Sequence, residues 1–165
     1  MLIVLGGLPG VGKTSIAREL AREMSAVLVR IDSIEQAIRW SGVTVISLDD
    51  AGYRAAYAVA ADNLALGHIV IADSVNPLPV TRAAWLDVAR QAQAPVLEVE
   101  IRCSNSAEHR RRVEDRLKID GNAGPTWQEV VNRDYRPWPT ANVVIDTAVR
   151  TPAQAVLELR AALGS

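Results

Sequence analysis

The chain has 165 residues, of which 49% are hydrophobic and 22% charged, as is typical of one globular domain with a sizeable core. Its formal net charge of −1 excludes a global positive field that would attract nucleic acid or an anionic membrane. The single cysteine, Cys103, excludes an internal disulfide framework, and no apolar run approaches the roughly 18 to 20 residues that cross a bilayer, so we expect a cytoplasmic protein without a membrane partner.

Short apolar segments alternate with longer segments of helical periodicity. The apolar segments are rich in Val and Ile and too short for stable helices, so they predict five strands: Leu2–Leu5, Val27–Ile31, His68–Ala72, Pro95–Ile101 and Val143–Ile145. The periodic segments predict helices over Thr14–Ser25, Ser33–Trp40, Ala51–Leu66, Val80–Gln93, Ala107–Lys118, Thr126–Arg133 and Pro152–Leu163. This alternation predicts βαβ units, and therefore a parallel sheet with helices on both faces.

The first strand runs directly into a glycine-rich segment, GGLPGVGKTS. Residues 7–14 match the pattern G-x-x-x-x-G-K-[ST] in the strand-to-helix context that the pattern requires. The glycines let the backbone approach a phosphate closely, and the start of the next helix adds its dipole. Lys13 supplies a compact charge that a wider guanidinium would not replace, and Thr14 offers a hydroxyl to Mg²⁺. The predicted phosphate site consists of Gly7, Leu8, Pro9, Gly10, Val11, Gly12, Lys13, Thr14 and Ser15, the alternative being a glycine-rich turn without a ligand.

This motif resembles the phosphate-binding loop of P-loop NTPases. Within that group the chain resembles small P-loop kinases, such as polynucleotide kinase, gluconate kinase, the zeta-toxin type and bacterial ATPase-like proteins of the kinase class. The resemblance implies one three-layer α/β/α domain over residues 1–165, a five-stranded parallel sheet in the order 2-3-1-4-5, and ATP with Mg²⁺. The N-K-x-D motif with which small GTPases recognise guanine is absent, because Lys118 lacks the preceding Asn.

Three Asp residues directly follow predicted strands, at the edge where parallel α/β sheets bind ligands. Asp73 follows the third strand in a pattern that resembles Walker B, which implies a Mg²⁺ contact, with a turn role as the alternative. Asp32 follows the second strand and either caps the next helix or, as the resemblance implies, accepts the proton of an attacking hydroxyl with Arg39 nearby. Asp146 follows the last strand, and we expect it to hold a turn without contacting a ligand.

Two further segments resemble functional parts of small P-loop kinases. The run from Asp73 through Asn76 to Arg82 resembles a D-x-x-N…R pattern, which implies that Asn76 and Arg82 contact the acceptor or its phosphate, although Asn-Pro is also a common turn dipeptide. Arg112 and Arg116 share one helix face, where small kinases carry a lid whose arginines close over the ATP phosphates. The alternative is a solvated helix in which neighbouring acids pair with the arginines.

The lid implied by the resemblance covers residues 106–136, and the loop Asp120–Pro125 predicts its mobility. The complete interpretation is an ATP-dependent kinase that phosphorylates a hydroxyl of a small-molecule acceptor. Its catalytic groups are Lys13, Asp32, Arg112 and Arg116, its metal ligands are Thr14 and Asp73, and its acceptor contacts are Asp32, Arg39, Asp73, Asn76 and Arg82.

Two alternatives remain open from the sequence. The first is a nucleotide-dependent switch or slow ATPase that acts with a protein partner, in which Asp32 only caps a helix. The second is a polynucleotide 5′-hydroxyl kinase, which the absence of a net positive charge disfavours.

Overall fold

A five-stranded parallel sheet organises residues 1–42, 50–119 and 124–164, which this computed structural model describes. All of its strand pairings are parallel, in the order β2-β3-β1-β4-β5. The strands are β1 (Leu2–Gly6), β2 (Val27–Arg30), β3 (Val70–Asp73), β4 (Val96–Arg102) and β5 (Val143–Asp146). The expected strand order is therefore confirmed.

Helices connect these strands and cover both faces of the sheet. They are α1 (Lys13–Met24), α2 (Ile31–Trp40), α3 (Ala51–Ala65), α4 (Pro79–Gln91), α5 (Ser106–Ile119), α6 (Trp127–Val131) and α7 (Pro152–Leu163). No helix in the described ranges is both long and apolar enough to cross a bilayer.

The central strand β1 contributes side chains to two hydrophobic clusters, because successive residues of a strand point to opposite faces. Ile3 and Leu5 pack in one cluster with residues of α1 and α7, whereas Leu2 and Val4 pack in the other with residues of α3 and α4. Trp85 of α4 is fully buried in the second cluster. The three layers predicted from the alternating pattern are therefore present.

Helix α2 begins earlier than its sequence predicts. The expected start is at Ser33, with Asp32 as a possible cap, but the helix begins at Ile31 and Arg30 occupies the N-cap position in an extended conformation without a side-chain cap. Asp32 therefore lies in the first helical turn, where the helix dipole favours its negative charge. This corrects the capping interpretation and leaves the Asp32 side chain available to other partners.

Asn76 is built into the core instead of facing a ligand. It is fully buried with a left-handed backbone (φ 48°). Its amide Nδ2 donates to the Leu5 carbonyl at 2.9 Å, and its Oδ1 accepts a hydrogen bond from the Trp85 indole at 3.1 Å. The predicted acceptor contact of Asn76 is therefore replaced by a structural role, in which it joins the end of β1 to α4.

Arg82 is also buried, and its guanidinium is used within the protein. It donates to four backbone carbonyl oxygens, those of Asn76, Pro77, Arg136 and Pro137, at 2.6 to 3.2 Å. The ring faces of Tyr135 and Trp138 lie 5.2 and 4.7 Å from its Cζ. The predicted acceptor contact of Arg82 is corrected in the same way: this side chain fastens the segment around residue 136 to the segment that follows β3.

Replacing Asn76 with Ala should lower the free energy of unfolding by about 3 kcal/mol. The change leaves a buried carbonyl and a buried indole N–H without partners, and it places an alanine in the left-handed region. Urea denaturation followed by circular dichroism measures the loss. Asn63→Ala is the control, since the Asn63 side chain donates an exposed hydrogen bond to the Val59 carbonyl within α3. A loss below 1 kcal/mol at Asn76 would contradict the structural role.

Candidate active site

The glycine-rich loop between β1 and α1 lies tightly against two other elements. Gly7 has a φ of 142°, and a Cβ there would collide with the carbonyl oxygen of Ile101 in β4. Gly10 has a φ of 83°, and a Cβ there would collide with Val113 of α5. Only glycine fits both the backbone angle and the space at these positions. The loop is therefore held in one shape by the end of β4 and by the predicted lid helix.

The predicted loop residues divide between the cleft and the core. Val11 is buried and Leu8 packs against the core, so these two contribute only backbone to the loop surface. Helix α1 begins at Lys13 with Gly12 at its N-cap and no capping side chain, so its first N–H groups lack intrahelical partners. The loop residues whose side chains or backbone line the cleft are Pro9, Gly10, Gly12, Lys13, Thr14 and Ser15.

Lys13 folds back over the loop that it follows. Its ammonium donates to the carbonyl oxygens of Gly7 at 2.8 Å and Leu8 at 2.9 Å. Burial lowers the pKa of Lys13 to about 8, while the negative charges of Asp73 and Asp32 act in the opposite direction. A phosphate group beside this ammonium would favour its charged form further. The loop and Lys13 together form a cationic cradle suited to a phosphate chain.

Thr14 and Asp73 meet at the base of the cleft. The Thr14 hydroxyl donates to Oδ2 of Asp73 at 2.7 Å, and the Asp73 side chain is only 3% exposed. A hydroxyl and a carboxylate side by side are the hard oxygen ligands that Mg²⁺ prefers. These two residues therefore fit a Mg²⁺ ion, and their close approach agrees with the predicted Walker B-like role of Asp73.

Arg30 connects the two candidate carboxylates. Its Nη2 lies 2.8 Å from Oδ2 of Asp32, and its Nε lies 3.6 Å from Oδ2 of Asp73. Sequence reasoning missed Arg30, although a charged residue at the last position of an apolar strand was a usable signal. Its guanidinium brings Asp32 and Asp73 to the same side of the cleft and offsets their negative charges.

Asp32 faces the cleft from the first turn of α2. Its side chain is 51% exposed, and Arg116 of α5 reaches it with an Nη2 to Oδ2 distance of 3.5 Å. The predicted proton acceptor and one predicted lid arginine are thus in direct contact. This ion pair joins α5 to α2 across the cleft.

Arg112 supports the opposite end of the loop. Its guanidinium donates to the hydroxyl of Thr147 at 2.9 Å and to the Thr147 carbonyl at 3.1 Å, and its Nε donates to Glu108. The Thr147 hydroxyl in turn donates to the carbonyl of Val11 at 2.8 Å. Arg112 lines the cleft, but in this structure its hydrogen bonds hold the loop after β5 against the phosphate loop.

The predicted lid is docked on the phosphate loop. His109 of α5 is buried, with its Nε2 at 2.8 Å from the Pro9 carbonyl, and the ring of Trp127 in α6 packs edge-on at 5.1 Å. Sequence reasoning gave His109 no role, because a single histidine among charged residues carries no motif. The mobility of the lid stays a prediction, and its hinge at Asp120–Pro125 lies outside the described residues except for Gly124 and Pro125.

The cleft has a volume of about 1300 Å³, which is large enough for a nucleotide and a second small molecule. Arg39 lines it and pairs with Glu35 at 3.4 Å, while Tyr53 of α3 lines the wall near β3. Asp146 does not line it, and accepts hydrogen bonds from the backbone N–H groups of Ser104 and Ala148, as expected of a turn residue. Hydrogen bonding from these N–H groups, that of Ser104 above all, lowers the pKa of Asp146.

Solved structures share this fold at low sequence identity. They include an APS kinase from Mycobacterium tuberculosis (TM-score 0.77, 19% identity, covering 99% of this chain and 97% of that chain). A Kti12 protein from Chaetomium thermophilum gives a TM-score of 0.72 at 22% identity, with 100% of both chains covered. A gluconokinase from Sinorhizobium meliloti gives 0.65 at 19% identity, covering 98% of this chain and 90% of that chain. Likeness at these identities shows the fold alone.

Comparison with curated proteins gives no match. Residues 2–133, by contrast, match the sequence profile of a protein family described as AAA domain, and this match covers most of the chain. With the strand order and the loop geometry, these findings confirm the predicted P-loop fold and its resemblance to small P-loop kinases, and the chain belongs to the AAA domain family.

Proposed function

We propose that this protein is an ATP-dependent kinase that transfers the γ-phosphoryl group to a hydroxyl of a small-molecule acceptor. One observation carries the proposal: the Asp32 carboxylate shares the cleft with the phosphate loop and is joined to Asp73 through Arg30. A phosphoryl transferase needs a carboxylate near the acceptor hydroxyl and a metal-binding carboxylate near the phosphates. The positions of Asp32 and Asp73 support their assignment to these two tasks.

In the proposed reaction Lys13 and the loop amides bind the triphosphate. Thr14 and Asp73 would hold Mg²⁺, which offsets phosphate charge when bound. Asp32 orients the acceptor hydroxyl and takes its proton as the new bond from oxygen to the γ-phosphorus forms. The bond from that phosphorus to the β-phosphate oxygen breaks, and ADP leaves. Arg116 and Arg112 lie at the two sides of the cleft and stabilise the charge on the transferred group.

The names of the structural relatives agree with this proposal. Two of the three are called kinases, and their names point to small-molecule acceptors. The APS kinase structure contains AMPPNP, and the Kti12 structure contains ADP-AlF3, so adenine nucleotides bind to this fold. We therefore choose ATP as the donor.

Saturating ATP with Mg²⁺ should raise the melting temperature of the protein by about 5 to 10 °C, as expected when the ligand is near one hundred times its Kd. Lys13→Ala should abolish the rise, and Thr14→Val should remove the part that depends on Mg²⁺ while a smaller rise with metal-free ADP remains. Differential scanning fluorimetry measures all three.

The other lysine provides a matched control for this measurement. Lys118 is exposed and pairs with Asp115 on the surface of α5, outside the cleft lining, so Lys118→Ala should keep the full rise. A larger rise with GTP than with ATP would contradict the choice of donor. A full rise in Lys13→Ala would contradict the phosphate cradle.

Replacing Asp32 with Asn should slow phosphoryl transfer by about 10² to 10⁴-fold and leave ATP binding unchanged, because the variant keeps the shape of the side chain and loses its basicity. The protein is incubated with ATP, Mg²⁺ and a metabolite extract, and phosphorylated products are followed by mass spectrometry. Asp62→Asn is the control, since Asp62 is exposed on α3 outside the cleft.

A different outcome would favour the switch or ATPase alternative. In that case inorganic phosphate would be the only product, it would appear at the rate of solvent hydrolysis, and Asp32→Asn would leave ATP turnover unchanged. Asp32 would then have no role as a base.

A further inference from the structure

The carboxylates that line the cleft do not balance its positive charge. Three of the described lining residues are acidic, namely Asp32, Glu35 and Asp73, so the cations exceed them by four. Lys13, Thr14 and Asp73 serve the phosphates and the metal in the proposed reaction. Arg112 and Arg116 are assigned to the transferred group, so the rest of the cleft is lined by four arginines and two carboxylates, an excess of two positive charges. The seven cationic lining residues are Lys13, Arg18, Arg30, Arg39, Arg112, Arg116 and Arg133.

Most of these arginines already have partners. Arg30 and Arg116 both contact Asp32, and Arg112 bonds to Glu108 and Thr147. Arg18 and Arg133 differ, because they line the cleft and form no ion pair with a described carboxylate. Arg18 lies on α1, which begins at the phosphate loop, whereas Arg133 follows α6. Arg133 is an exposed cation at the edge of space that a ligand can occupy.

Arg133 lines the cleft together with residues of the phosphate loop and of α3. Burial is the main cause of both the lowered pKa of Lys13 and the raised pKa of Tyr53. The positive charge of Arg133 adds to the lowering at Lys13 and opposes the rise at Tyr53. These effects agree with the shared lining of the cleft, in which Lys13 belongs to the phosphate loop and Tyr53 to the α3 wall. A group bound beside Arg133 would lie next to the site of phosphoryl transfer.

The backbone that carries Arg133 is fixed at both ends. On one side, Val130 of α6 is buried and Trp127 packs on His109. On the other side, the Arg136 N–H donates to the Pro77 carbonyl at 2.9 Å, and Arg82 donates to the Arg136 carbonyl at 2.6 Å. The buried Arg82 thus places Arg133. Binding then orders the Arg133 side chain but not the backbone that carries it, which favours affinity.

Arg39 lies on the same wall as Asp32 and provides a second contact. It pairs with Glu35 at 3.4 Å on an exposed helix face, with 55% of its side chain accessible. Exposed pairs of this kind contribute little to stability, so a ligand can compete for the guanidinium.

We propose, on the basis of the kinase function above, that the acceptor is an anion, a hydroxyl compound that also carries a carboxylate or phosphate group, and that Arg133 binds this group with Arg39 as the second contact. A guanidinium binds either anion through two parallel N–H···O bonds, so the planar fork also orients the acceptor. The hydroxyl is then presented to Asp32.

Inorganic phosphate serves as the probe, with the donor site first filled by AMPPNP and Mg²⁺. The wild-type complex should show a further, saturable rise in melting temperature as phosphate is added. Arg133→Gln should weaken this phosphate affinity at least about tenfold, the factor expected when a charged hydrogen bond is lost. Arg136→Gln is the matched control, since Arg136 is exposed, pairs with Asp134 and does not line the cleft, and it should behave as wild type.

Three results would overturn the proposal. The first is the absence of saturable phosphate binding to the wild-type complex. The second is a phosphate affinity of Arg133→Gln within twofold of wild type. The third is a tenfold loss of AMPPNP affinity in Arg133→Gln, which would assign Arg133 to the donor nucleotide. Because Arg133 is exposed, the variant should keep its fold, which circular dichroism checks.

A second arm separates this proposal from the kinase proposal. The metabolite extract is divided by anion exchange, and each fraction is tested with ATP and Mg²⁺. A phosphorylated product should arise only from the retained fraction. Product from the flow-through would overturn the anionic acceptor while the kinase function stands. Product from no fraction would count against the kinase function, and the phosphate titration would still decide the role of Arg133.

Treating the retained fraction with phosphatase, then removing that enzyme, distinguishes the two kinds of anion. A phosphate-bearing acceptor loses its activity, whereas a carboxylate-bearing acceptor keeps it. Either outcome agrees with an anionic acceptor and names its charged group.

Discussion

The cleft depends on one register, the parallel pairing of β1 with β3 that sets Leu5 opposite Asp73. Because both strands end at the same edge of the sheet, the phosphate loop that follows β1 lies beside Asp73 at the end of β3. The Thr14 hydroxyl therefore donates to the Asp73 carboxylate at 2.7 Å. A slip of one residue would send Asp73 to the other face of the sheet. Complete burial of Leu2, Ile3 and Val70 opposes such a slip, since it would expose apolar surface on both faces.

The segment after β3 fixes the walls of the cleft around the phosphate loop and Asp73. Asn76 joins the end of β1 to α4, and Arg82 joins the same segment to the chain near residue 136. Neither residue lines the cleft. Asn76 fixes the wall near Asp73, and Arg82 fixes the segment after α6 that carries Arg133. The sequence pattern that resembles an acceptor site, Asn76 with Arg82, therefore stabilises the walls of the cleft instead of contacting the acceptor.

Local patterns could be read from the sequence, and long-range placement could not. The phosphate loop is contiguous, so the spacing of Gly7, Gly12 and Lys13 was sufficient to predict it, and Asp73 followed from the end of an apolar strand. The sheet order came from a family resemblance, since spacing does not give it. The Arg112–Thr147 and Asp32–Arg116 contacts join residues far apart in sequence. Arg133 carried no signal at all, because its position in the cleft depends on how Arg82 and α6 hold the chain.

The use of arginine instead of lysine follows from the crowding of positive charge in the cleft. Lys13, buried and beside other cations, already has its pKa lowered to about 8. Burial is the main cause of this shift, and further lysines in the same surroundings would hold their protons less firmly. Guanidinium groups keep their charge up to about pH 12, so arginines can stand close together and preserve the excess. Lys13 is the single lysine that lines the described cleft, and it lies at the phosphate loop, where a compact charge is needed. Arginines supply the other positive charges of the cleft, which an anionic acceptor would neutralise.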